Sequence, residues 1–189
     1  MHAHAHDSQG GVVTSATKEL DEQLHFTQNM HGNIMTPDVA FKTLQTCKTM
    51  AVRCLKQAET AQKVAEFLEG HPMVDVVRYP GLKSFPQKEL ADRQHDNGFH
   101  GSMLWFEVKG GSANGRKLMD SIQRPWSLCE NLGAVESIIT CPSVMTHANM
   151  LKEDRLKVGI TDGFVRVSCG IEDAADLIKA LKIALDGLK

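Results

Sequence analysis

The chain has 189 residues, 42% of them hydrophobic, and a formal net charge of −2. That length suits one domain, or one domain with an appendage, and the apolar share suffices for a core. Mixed, nearly balanced charge gives no reason to expect nucleic-acid binding, and no apolar run reaches a membrane span or forms a secretory signal. Five scattered cysteines (Cys47, Cys54, Cys129, Cys141, Cys169) contain no CxxC pair. They read as buried free thiols of a reducing compartment rather than a disulfide framework.

The opening MHAHAH reads as a purification tag and is set apart from the fold; were it native, His2, His4 and His6 would offer adventitious metal ligands. From residue 10 to 35 a short apolar piece leads into TSATKELDEQLHF, where Thr14 or Ser15 is expected to cap a helix that turns Leu20, Leu24 and Phe26 inward. Thr36-Pro37-Asp38 is a strong helix start, with a hydroxyl cap, proline at the first position and an acid in the first turn. Behind it Phe41, Leu44, Cys47, Ala51, Cys54, Leu55, Ala58, Ala61, Ala65 and Leu68 recur at helical spacing, predicting one long helix or two in series that stop at Gly70-His71-Pro72.

Beyond Met73 the character changes. MVDVVRYPG reads as a strand, Leu82 to Gly98 as a polar loop with a short helix, and SMLWFEVKGG as the clearest strand, closed by a Gly-Gly turn. Residues 112–123 look helical with Leu118, Met119 and Ile122 inward; AVESIITC and GFVRVSCG supply third and fourth strands. Glu172 to Leu188 closes the chain as an amphipathic helix carrying Ala175, Leu177, Ile178, Leu181 and Leu185. The fold class expected is α/β with α+β layering: about four strands, mainly antiparallel, with helices on one face and a long helix in front.

Two motifs carry the chemistry. NLGAVES (Asn131 to Ser137) and FVRVSCGIED (Phe164 to Asp173) are expected to face one pocket, with TCPSVMTH between them. An arginine among Phe164, Val165 and Val167 is costly to bury unless an anion meets it, so Arg166 is the best candidate for gripping a carboxylate. The bland alternative is an ion pair with Glu172 or Asp173.

The runs LGAVESIITCPSVMTHANM and GITDGFVRVSCGIEDAADLIKAL, together with FTQNMHGNIMTP, KTMAVR and YPGL, resemble the C-terminal half of the pyridoxal-phosphate enzymes of Cys/Met metabolism. That group contains cystathionine γ-lyase, cystathionine γ-synthase, cystathionine β-lyase and methionine γ-lyase, and the resemblance spans about residues 9 to 189. It implies the C-terminal domain of a fold-type-I enzyme: residues 7–35 would end the large cofactor-binding domain, and 36–189 would form the linking helix and the substrate-lid domain. It also implies pyridoxal 5'-phosphate as cofactor, a small amino-acid substrate, a cytoplasmic homotetramer in the full-length protein, and no nucleic-acid or membrane partner.

Carried over by resemblance, Arg166 binds the substrate α-carboxylate. Asn131 stands where the family commonly has serine as the second carboxylate contact, with Leu132 beside it; Thr146 lies in the pocket-side MTH segment. Glu136 matches the glutamate of the γ-acting members and would meet the distal end of the substrate; an exposed strand carboxylate is its plain alternative. His147 is read as structural. TSATK resembles the family's lysine motif, but Lys18 follows Gly10 to Val13 rather than preceding them, so a solvated helix-start lysine is the better reading and the Schiff-base lysine is expected to be absent. No catalytic residue, cofactor ligand or metal ligand is therefore assigned.

Gln28-Asn29 occupies the place where methionine γ-lyases tend to carry Lys-Asp, which with Glu136 favours cystathionine γ-lyase, giving cysteine, 2-oxobutanoate and ammonia. Cystathionine γ-synthase and methionine γ-lyase are the alternatives within the family. A non-catalytic lid or oligomerisation module is the alternative outside it, and the chain alone is expected to show no lyase turnover. A cysteine hydrolase using Cys141 or Cys169 with His147 is the weakest reading, since nothing orients such a pair.

Overall fold

The computed structural model describes residues 10–188; the MHAHAH segment lies outside them. In chain order the elements are α1 (Lys18–His31), α2 (Pro37–Cys47), α3 (Met50–Glu69), β1 (Val74–Arg78), α4 (Lys88–Gln94), a 3-10 turn (Asp96–Gly98), β2 (Met103–Val108) and α5 (Gly111–Ser121). Then follow β3 (Ser127–Leu128), β4 (Ile138–Thr140), α6 (Lys152–Lys157), β5 (Phe164–Ser168) and α7 (Ala174–Asp186). Among the described residues no helix is long and apolar enough to cross a membrane.

The sheet runs β1-β2-β5-β4-β3, antiparallel except for the final β3–β4 pair. The mainly antiparallel sheet with helices against one face is as expected, with a fifth strand of two residues, Ser127–Leu128, added at its edge. Strand alternation sorts the two faces. Leu104, Phe106 and Val108 of β2, and Val165 and Val167 of β5, are buried against Ala61, Val64, Ala65 and Leu68 of α3, Leu118 and Met119 of α5, and Leu177, Leu181 and Leu185 of α7. The other face aligns Arg78, Trp105, Arg166 and Thr140 in one cross-strand row. On that face Trp105 stacks on Phe164 with ring centroids 4.6 Å apart.

The expected long helix is two helices in series. The junction at Lys48–Thr49 is held by Arg53, which donates to the Thr46 carbonyl at 2.7 Å and to the Thr49 hydroxyl at 3.1 Å. Its apolar stripe is buried only from Ala58 onward; Phe41 (63%), Leu44 (67%) and Leu55 (43%), with Cys47, Ala51 and Cys54, face out. Likewise α1 buries nothing, so the expected inward placement of Leu20, Leu24 and Phe26 does not hold: spacing marks an apolar stripe, but these side chains stay 48%, 41% and 67% exposed. Its cap is Thr17 rather than Thr14 or Ser15, because the Thr17 hydroxyl is the one that reaches the Leu20 amide, at 3.3 Å.

On α7 the inward residue of the first turn is Ala174, with Ala175 turned out. Asp173 caps this helix, its carboxylate accepting from the Ala175 amide at 2.7 Å. Replacing a capping acid by alanine leaves a first-turn amide without its acceptor. Asp173→Ala is therefore expected to lower the unfolding free energy by about 1 kcal/mol, read from the urea midpoint at unchanged slope.

Candidate functional site

Arg166 sits at the centre of β5, between Trp105 of β2 and Thr140 of β4. Its neighbours Val165 and Val167 point into the core, so the period of two puts the guanidinium on the opposite, half-open face. It is thus not buried among those apolar side chains, as the sequence suggested, but half-buried above the sheet. Its Nη2 donates to the Glu130 carbonyl at 3.1 Å. Partial burial pulls the guanidinium below its ordinary value, and the Glu130 carboxylate, with Cys129, opposes this. Neither suggested ion-pair partner meets it, because Glu172 holds Ser137 and Asp173 caps α7.

The segment over Arg166 is the loop from Cys129 to Ser137, between β3 and β4, and it is fixed at many points. The Thr140 hydroxyl donates to the Cys129 carbonyl. The Gly133 amide donates to Ser168 Oγ at 3.1 Å, and the Ile171 amide to the Val135 carbonyl at 2.8 Å. The Glu172 carboxylate takes both the Ser137 amide and hydroxyl at 2.7 Å, while the Gly170 amide donates to that same hydroxyl at 2.8 Å. From α3, the buried Gln57 side chain donates to the Ala134 carbonyl at 2.7 Å. The two motifs are therefore one structure, with NLGAVES laid along SCGIED.

Within this loop Asn131 is exposed, and its Oδ1 accepts from the Leu132 amide at 2.8 Å, which leaves the NH2 as the end able to donate outward. Leu132 is half-buried beside it. Glu136 is half-buried and its Oε2 is shut off from solvent. Glu130, by contrast, is exposed and is the carboxylate coupled to Arg166. Sequence reasoning passed over Glu130, although its position directly before Asn131 was the available signal. Gln57 was missed too; a polar side chain one position before Ala58 on the inward stripe was the hint there.

Thr146 lies in the turn-rich segment after β4, where its hydroxyl meets His147 Nδ1 at 2.7 Å and the His147 amide donates to the Pro142 carbonyl at 2.9 Å. This segment is tied down by Ser143, which donates to the Asp162 carbonyl at 2.9 Å. The Asp162 side chain takes Lys152 at 2.7 Å and the buried Arg155 guanidinium, and those two bonds hold its carboxyl below the usual carboxylate range. The hydrogen bonds of Thr146 and His147 stay inside their own segment, whereas Arg166, Asn131 and Leu132 are brought together by the Cys129–Ser137 loop.

Cys141 and Cys169 are fully buried, and burial, reinforced by Glu172, pushes the Cys169 thiol far above its ordinary range. A neutral thiol sealed in the core is no nucleophile, and His147 is engaged by Thr146, so the hydrolase reading finds no geometry to support it. Lys18 opens α1 with a solvent-facing side chain and an ion pair to Glu22 at 3.8 Å. Among the described residues no group of three or more His, Cys, Asp or Glu side chains could hold a metal ion.

Comparison with known proteins adds to this geometry. Residues 3–186 match the family described as Cys/Met metabolism PLP-dependent enzyme. The chain is 41% identical over 182 residues to a cystathionine gamma-lyase of Bacillus subtilis, covering 96% of this chain and 47% of that protein. It is 42% identical over 173 residues to an L-methionine gamma-lyase of Treponema denticola, covering 90% of this chain and 42% of that protein. Among solved structures, the cystathionine gamma synthase of Xanthomonas oryzae pv. oryzae in complex with cystathionine superposes with a TM-score of 0.86 at 40% identity, over 93% of this chain and 44% of that one. The chain spans less than half the length of each of these proteins.

Proposed function

The chain belongs to the pyridoxal-phosphate-dependent enzymes of Cys/Met metabolism, and from that premise we propose that it is the substrate-gripping part of a transsulfuration carbon–sulfur lyase, cystathionine γ-lyase in activity. The observation that carries this reading is Arg166 on the half-open sheet face, its Nη2 fixed at 3.1 Å from the Glu130 carbonyl under the Cys129–Ser137 loop. Identity alone does not choose the member, since it stands at 41% to a γ-lyase and 42% to a methionine γ-lyase. Chemistry does. Methionine offers one carboxylate and one ammonium at a single carbon, whereas cystathionine carries a second amino-acid head at its far end. Two acids in the Cys129–Ser137 loop, Glu130 and Glu136, exceed what one α-ammonium needs, which supports the substrate carrying a second amino-acid head.

The roles follow from donor chemistry. Arg166 presents a planar fork to a carboxylate, fixing two oxygens at once and so orienting the amino acid before any bond to its Cα breaks. Asn131 adds an amide donor at the edge of that carboxylate, and Leu132 beside it presents apolar surface that limits water. Glu130 and Glu136, two acids of the same loop, are the proposed acceptors for the distal ammonium, Glu130 exposed and Glu136 half-buried. Thr146 is kept as a proposed substrate contact by resemblance, its hydroxyl held by His147 Nδ1 at 2.7 Å. Residues 7–35 belong, on this reading, to the large cofactor-binding domain, and residues 36–189 to the linking helix and lid.

Pyridoxal phosphate does not fit the described residues by themselves. The group needs a Schiff-base lysine, and the groups engaged with Arg166 are Glu130 and Cys129, while Lys18 faces solvent beside Glu22. The chain alone is accordingly expected to bind amino acids without cleaving them.

Titration of the 15N-labelled chain with L-cystathionine and, separately, L-methionine tests the reading. Cystathionine is expected to shift the Arg166 side-chain resonance together with the Glu130 and Asn131 amides, and methionine to shift Arg166 and Asn131 without Glu130. Saturating cystathionine that leaves Arg166 unmoved, or 2-oxobutanoate released by the chain alone, would overturn it.

A further inference from the structure

Away from the sheet's open face, two histidines meet ring to ring. His95, in the turn after α4, and His100, just before β2, face each other through their Nδ1 atoms at 2.9 Å, with ring planes inclined at 60°. His100 is buried; its other nitrogen, Nε2, lies 3.4 Å from Asp92 on α4, and Asp92 is also gripped by Lys88. Tyr79, in the turn after β1, stands edge-on to His100 at 6.3 Å, and its hydroxyl donates to the Gly101 carbonyl at 3.0 Å. One residue further, the Ser102 carbonyl receives the Cys169 amide at 2.9 Å, so the pair sits where the polar connection joins the β2–β5 ladder.

A bond between two imidazole nitrogens needs one donor and one acceptor, so one of the two Nδ1 atoms must carry no proton. A neutral pair satisfies this, and so does a pair holding one extra proton, with His100 Nε2–H turned to Asp92. A doubly protonated pair cannot: donor would face donor, and two cations would stand 2.9 Å apart with Lys88 adding to the repulsion. We propose that His95 and His100 form an acid-opened clasp that fastens the 95–101 connection to the start of β2 and releases it when both rings are protonated.

The charged and titratable groups facing the clasp are Lys88 and Asp92 from α4 and Tyr79 from the end of β1. Burial, then Lys88 and His95, hold the His100 imidazole below its ordinary value of 6.5, against the opposing pull of Asp92. A histidine held low in the closed state contributes stability that is fully present above pH 6.5 and is lost as pH falls below it, because the opened segment takes up more protons than the closed one. With one proton of difference, the opening equilibrium rises about tenfold between pH 7.5 and 5.5.

Amide hydrogen exchange of the full chain, read on peptides covering residues 95–103 and corrected for the intrinsic pH dependence of exchange, measures this directly. The expected result is a roughly tenfold loss of protection there between pH 7.5 and 5.5, with the α7 peptides following no such change and with His95→Gln weakening the pH dependence. A flat profile in the native chain, the same profile in His95→Gln, or an equal loss across α7 would overturn the proposal. Should His95→Gln fold poorly, ring 15N shifts of the native chain decide: independent titration of both rings at ordinary histidine values overturns it, and a split pair with one acceptor nitrogen at neutral pH supports it.

Discussion

Arg166→Ala is expected, on the proposed cystathionine-lyase reading, to lower kcat/KM on the order of a thousandfold in the whole enzyme, while leaving the thermal midpoint of the chain nearly unchanged. The magnitude comes from the fork. A hydrogen bond to a charged group contributes about 1.5–3 kcal/mol, and a bidentate carboxylate contact makes two of them. At about 1.4 kcal/mol per tenfold, the pair accounts for roughly a hundredfold to ten-thousandfold. Stability is little affected because the side chain is half-buried on the open face and, among the described residues, makes a single hydrogen bond, to the Glu130 carbonyl. Arg166→Lys keeps the charge but not the plane, so it is expected to recover only part of the loss. Near-native kcat/KM in Arg166→Ala would remove Arg166 from the site, whatever its setting.

The second large effect is structural and concerns Gly170. A Cβ at this position would lie 2.1 Å from the Val135 carbonyl oxygen and 2.6 Å from the Glu136 carbonyl carbon, which are backbone atoms and cannot swing aside. The loop would have to lift from β5, and it is pinned there by the bonds from Ile171 to Val135 and from Gly170 to Ser137. Gly170→Ala is expected to cost about 3 kcal/mol, the upper range for an overpacked site. In a domain of this size that is a fall of roughly 6–12 °C in Tm, measured by calorimetry or circular dichroism. A change below one degree would mean that the NLGAVES loop is not seated as described.

How much of this was legible in the sequence differs by element. Pro37 opened α2 as expected because proline fixes a helical φ at the first position, although the Thr36 hydroxyl makes no capping bond; α3 does end at Gly70, but in ordinary right-handed geometry. β2 was legible as an apolar run closed by Gly110-Gly111, and β5 as an apolar stretch interrupted by one arginine. β3 was not, since two residues carry no period, and their pairing with Ile138 and Ile139 is set by the sheet edge alone. The stripes of α1 and α2 were visible as stripes, but spacing cannot say whether anything lies against them. At the candidate site, Arg166 stood out as a charge in an apolar run, although its face of the sheet followed only from the alternation of Val165 and Val167. The clamp of Glu172 on Ser137 spans 35 residues, and the hydrogen bond from Gln57 to Ala134 spans 77; partners so far apart leave no local trace.

The gradient of burial along α3 has a thermodynamic consequence. The helical residues before Gln57 bury almost no apolar surface, so what holds them is close to the free energy of isolated helices, which at 11–14 residues is marginal in water. From Gln57 onward the same helix is locked to the sheet and to α7. The cooperative unit of this chain therefore begins in the middle of a helix: a denaturant slope should report the surface of residues 57–188 alone, while α1 and α2 unravel earlier as a separate, shallow transition.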